Sequence, residues 1–134
     1  MSDLAGRTAL VTGSTHGIGR AVALELANAG ARVAIHGRSA KAADELAKLL
    51  ARQDRHAGTF LADLADADAV ARLLREVEVR LPAVDIFVAV AGADVLTGEP
   101  AKWPFERKLE ELLKVDVVAT MTLCRGIEIG RAHV

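Results

Sequence analysis

The first chemistry legible in this chain lies between positions 13 and 19, in Gly13, Ser14, Thr15, His16, Gly17, Ile18 and Gly19. These residues follow the apolar run ALV and precede the helical-looking RAVALELANAG. A glycine-rich turn between a strand and a helix offers free backbone N–H groups and a positive dipole end to phosphate. Gly13 suits a tight turn, Gly17 a close approach to a pyrophosphate, and Gly19 tight packing of the helix on the sheet. The alternative is that the glycines merely make a turn, but the strand before and the helix after favour a nucleotide cradle. No lysine follows Gly19, so the loop is not that of a phosphate-loop NTPase.

Other constellations are sparse. Histidines 16, 36, 56 and 133 are scattered without metal-ligand spacing, and the one cysteine, Cys124, leaves no intrachain disulfide. Cys124 falls in a helical pattern, where a buried, inert thiol is expected. Glu76, Glu78, Glu110 and Glu111 fit solvated helix faces, and Trp103 fits an anchor holding its loop on the following helix. The chain has no tyrosine, one asparagine (Asn28) and three serines (Ser2, Ser14, Ser39).

Alternating short apolar runs and longer segments of helical period must position the loop, and they predict an α/β domain with a parallel sheet. Strands are expected at 8–12, 31–36, 58–62 and 84–90. Helices are expected from Gly17 to Gly30, from the N-cap Ser39 to about Gln53, over 66–80, and from 105 to about 129. In the first helix Ile18, Val22, Leu26 and Ala29 recur at helical spacing. In the second, Leu46 and Leu50 face the core, as do Val70, Leu73, Leu74 and Val77 in the third. In the last, one stripe holds Leu109, Leu113, Asp116, Thr120, Leu123 and Ile127, with further apolar surface at Val115, Val118, Met121 and Ile129. Asp116 is then a charge on an apolar stripe, costly if buried without a partner. At 134 residues, with 17 Lys+Arg against 18 Asp+Glu, the chain reads as one domain with no nucleic-acid field. Neither a membrane span nor a signal peptide is legible, so the expected compartment is cytoplasmic.

Taken together, T-G-x-x-x-G-I-G, Asp63-Leu64 after the third strand, AVAG (89–92) after the fourth and KVDVVATMTLCR in the last helix resemble the short-chain dehydrogenase/reductase family over residues 4 to about 125. The resemblance implies a doubly wound, Rossmann-like sheet of order 3-2-1-4, present here as a partial domain. Residues from about 126 to 134 read as a divergent or non-native tail. It implies a dinucleotide held by residues 13–19, with Asp63 accepting from the adenine amino group beside Leu64, and Ala91 and Gly92 on the ribose side. The family's N-N-A-G is here AVAG, so Ala89 and Val90 lose the asparagine hydrogen bonds that tie this turn down. NAD users place a carboxylate at the end of the second strand, whereas this chain has His36-Gly37-Arg38. Arg38, assisted by His16, suits a 2′-phosphate, so the expected cofactor is NADP, with NAD left open.

The family's hydride transfer uses a Tyr acid/base, a Lys four residues on, a Ser and an Asn in the long helix. These 134 residues hold no Tyr, no Ser after Ser39 and no Lys after Lys114, and Asp116 stands at the Asn position. No catalytic residue is therefore assigned. The expected function is the NADP(H)-binding portion of an oxidoreductase, inactive as this chain. The rival is a catalytically silent nucleotide-binding or dimerising regulator, and a weaker third is a binder of another adenine nucleotide. An uncovered fourth strand and last helix predict self-association into a homo-oligomer.

Overall fold

The computed structural model describes residues 3–129. Four parallel strands, β1 (Thr8–Thr12), β2 (Arg32–Gly37), β3 (His56–Leu61) and β4 (Ile86–Ala89), lie in the order β3-β2-β1-β4. This is the doubly wound arrangement expected. Helices cover both faces of the sheet, so the central strands β1 and β2 are buried along nearly their whole length. Ala9, Val11, Val33 and Ile35 pack under α1 (Gly17–Asn28) and α2 (Ala40–Arg52). Leu10, Ala34 and Phe60 pack under α3 (Ala67–Arg80) and the last helix.

Local sequence accounts for most of the boundaries. The Ser39 hydroxyl accepts from Ala42 N–H at the start of α2, and Asp66 accepts from Asp68 and Ala69 N–H at the start of α3. Three strands differ from expectation, β2 by one residue at each end, since it runs from Arg32 to Gly37 rather than over 31–36. β3 begins at His56 rather than 58, and β4 is confined to Ile86–Ala89, with Val84 making a separate parallel bridge to Ile129.

In α1 the buried stripe is Gly19, Ala23 and Ala27, whereas Ile18 is 75% exposed. The larger Val22 and Leu26 sit half-buried at its flanks, because only the small residues allow the helix to lie this close to the sheet. The last helix also departs from a simple period. It runs as α4 (Phe105–Leu112), a π-helical segment (Leu113–Ala119) and α5 (Thr120–Gly126), with helical dihedrals through both junctions. The wider π turn slips the inward face, so the buried helical residues are Val115, Ala119 and Leu123, spaced by four. The helix ends at Gly126 rather than about 129: Ile127 is extended and buried beyond it, and Ile129 bridges to Val84. Leu109, Leu113 and Asp116 turn outward. Cys124 is exposed too, correcting the expected buried thiol, because it directly follows the inward Leu123. No helix among the described residues is long and apolar enough to cross a membrane.

Replacing the α3 cap by Asp66→Ala should cost about 1 kcal/mol of folding stability, and Asp66→Asn much less. Urea unfolding followed by circular dichroism checks this.

Candidate functional site

All four strands point their C-terminal ends to one side, and a cavity of about 680 Å³ opens there. Gly13, Thr15, His16, Gly17, Ile18, Gly19, Arg38, Asp63, Leu64, Ala91 and Gly92 all line it, so the expected residues converge from four separate loops. Trp103 and Val115 close the far side.

The glycine loop is set by backbone contact. Gly13 has φ +62°, and a Cβ there would lie 2.7 Å from Ala91 Cα. At Gly19 a Cβ would lie 2.0 Å from the Gly13 carbonyl oxygen, so the loop and α1 touch main chain to main chain. Such sites exclude every other residue type. No side chain caps the start of α1, where His16 precedes Gly17. The first-turn N–H groups, which no helical carbonyl can reach, are thus left for an anion in the cavity.

Ser14 behaves differently from its neighbours and does not line the cavity. It is fully buried, its N–H donates to the His36 carbonyl at 2.9 Å, and its Oγ accepts from His36 N–H at 3.0 Å. Ser14 therefore fastens the loop to β2. His36 enters the sequence reading only as a scattered histidine and a non-carboxylate at the end of the second strand, yet its ring joins three segments. Nδ1 accepts from Gly13 N–H at 3.0 Å, and Nε2 donates to the Ala62 carbonyl at 3.0 Å. Burial pushes the imidazole below the ordinary histidine range; the Ala62 bond opposes this and the Arg38 charge adds to it. An isolated histidine in a strand gives no sequence signal of such a role.

The turn after β4 is held despite lacking the expected asparagines. Thr12 Oγ1 accepts from Val90 N–H at 3.2 Å and Ala91 N–H at 3.3 Å. Asp116 Oδ1 accepts from Ala93 N–H at 2.8 Å, tying this turn to the last helix. Asp116 is exposed rather than a buried charge on the apolar stripe, since the π segment carries it outward. It does not line the cavity.

The remaining groups are placed as follows. Asp63 is exposed, with Oδ1 accepting from Ala65 N–H at 3.0 Å, while Leu64 beside it is buried. Arg38 is exposed, and no carboxylate pairs with it among the described residues. The Arg107 guanidinium lies 3.8 Å from the Trp103 ring centroid and anchors that loop on α4. The Asp94 carboxylate accepts from the Thr97 hydroxyl and the Leu96 amide, which hold it below the usual carboxylate range. No group of three metal-ligating side chains comes together among the described residues, and His133 lies outside them.

Comparison with known proteins agrees with this architecture. The profile of the short chain dehydrogenase family matches residues 7–128. Hydroxynaphthalene reductase arp2 of Aspergillus fumigatus is 41% identical over 92 residues, covering 68% of this chain and 34% of that protein. A short chain dehydrogenase from Burkholderia cenocepacia, solved in complex with NADP, superposes with a TM-score of 0.83 at 32% identity, covering 96% of this chain and 53% of that one. A 3-oxoacyl (acyl-carrier-protein) reductase from Agrobacterium tumefaciens with NADP bound gives 0.78 at 35% identity, covering 92% and 46%. The chain thus spans about a third of the curated reductase and about half of each solved structure. With its glycine loop, strand order and sequence all in agreement, the chain belongs to the short-chain dehydrogenase/reductase family.

Proposed function

We propose that these residues form the NADP(H)-holding portion of an oxidoreductase that moves hydride between a nicotinamide and a carbonyl or alcohol carbon. The observation that carries the reading is Arg38. It is an exposed cation at the end of β2, on the same cavity as the uncapped start of α1, with no carboxylate at that strand end to repel a 2′-phosphate. Two similar structures were solved with NADP.

The fit follows from the residues present. The loop from Gly13 to Gly19 and the first turn of α1 would hold the pyrophosphate, and Arg38 with His16 the 2′-phosphate. Asp63 and Leu64 would border the adenine, and Ile18, Ala91 and Gly92 the rest of the dinucleotide. Bound nicotinamide would supply or accept the hydride. This chain's own residues hold and orient the cofactor. Because they include no tyrosine, the acid/base step of the family is absent from them, and the chain is expected to bind without turning over. The cytoplasm is the compartment this reading fits. A second property rests on Leu113, Val117, Val118 and Met121, each about half exposed or more along one rod. Such a surface favours self-association into a homo-oligomer.

A fluorescence titration of the 134-residue chain should show NADPH binding more tightly than NADH. Arg38→Ala should weaken NADPH by about tenfold and leave NADH nearly unchanged. No binding of either nucleotide, or equal losses for both, would overturn the assignment. Light scattering should give a mass above the monomer, and a clean monomer would contradict the oligomer.

A further inference from the structure

His36 is a buried titratable group that borders the cofactor cavity, and none of the cofactor-holding roles described above uses its proton. Its ring lies where the end of β2, the first glycine of the loop and the end of β3 meet, and it is 2% exposed. The hydrogen bonds fix its tautomer. The Ala62 carbonyl can only accept, so Nε2 carries the proton; Gly13 N–H can only donate, so Nδ1 must be bare.

Gly13 is the residue through which this ring reaches the phosphate cradle. Its backbone is pressed against Ala91 on one side and against α1 at Gly19 on the other. A shift at Gly13 therefore moves the start of α1, whose first residues, Gly17, Ile18 and Gly19, line the cavity. We infer that His36 is the positioning residue that sets the glycine loop for a dinucleotide, and that its protonation unlocks the loop and releases the cofactor. This rests on the cofactor reading proposed above.

The imidazolium has donors on both nitrogens, so Nδ1–H would confront Gly13 N–H with no acceptor between them. Few neighbours can offset the added charge. The titratable groups sharing the cavity are His16 on the loop, Arg38 after β2, Asp63 after β3, Asp94 and Glu99 after β4, and Glu111 on α4. Of these, Arg38 is the one whose charge acts on the ring, and it opposes protonation. Because the folded ring binds its proton more weakly than the unfolded one, this histidine also withdraws stability as the pH falls below about 6.5.

The experiment uses the 134-residue chain in two arms. In nitrogen-detected NMR of the free protein, His36 should show a bare Nδ1 and a protonated Nε2, and the Gly13 amide should titrate with the same midpoint as the ring. In NADPH titrations, wild-type affinity should fall by about tenfold on acidification, with a midpoint below the ordinary histidine value. His36→Asn places an amide oxygen near the Nδ1 position, so it should rescue binding at neutral pH and flatten the acid limb. His36→Gln reaches toward Ala62 instead, and should weaken NADPH by about tenfold at neutral pH. A Gly13 amide that ignores the His36 titration, or equal weakening by both variants, would overturn the inference. Joint titration of Gly13 and His36 without any NADPH binding at about pH 8 would support the lock and overturn the cofactor reading instead.

Discussion

Main chain meets main chain at Gly13, and the rest of the site depends on that contact. The loop between β1 and α1 is caught between the turn after β4 and the first turn of α1, with no room for a side chain at either approach. The rigid sheet supplies the floor. Because β1 is central and fully buried, Thr12 at its end can receive the amides of the β4 turn while the next residue accepts the glycine geometry. Hydrogen bonds from Ser14 and His36 then hold the loop from the β2 side. The cradle is thus built from backbone, and the side chains around it act mainly as fasteners.

Much of this was legible in the sequence, for physical reasons. Fully buried parallel strands read as apolar runs, so TALVT and ARVAIH announced themselves. Ser39 before an amphipathic stretch marked a helix start because its hydroxyl fits the open amide of Ala42. What escaped was set by tertiary packing. In α1, ranking residues by size points to Ile18 and Val22, but closeness to the sheet selects Gly19 and Ala23. The slip in the last helix has no local sequence mark, and it alone separates Asp116 as a buried charge from Asp116 as an exposed tie to Ala93. The cavity-lining set followed from motif spacing, whereas the inward turn of Ser14 and the bridging ring of His36 depend on how three segments meet.

The turn after β4 shows how one geometry can be held by different chemistry. Side-chain amides are absent there, yet the main chain is held from below by a threonine hydroxyl and from the side by a carboxylate on the last helix. Hydrogen-bond demand belongs to the backbone position, so any acceptor that reaches it can meet it.

The pairing of β1 also imposes an order of events on the growing chain. β1 is made first, yet one of its two partners, β4, is made only after α1, β2, α2, β3 and α3. The bond from Thr8 N–H to Asp85, 77 residues away in sequence, has to wait as long. Until then one edge of the central strand lacks its partner, and pairing over such a sequence distance is the kind that slows folding and leaves a strand edge open to other chains.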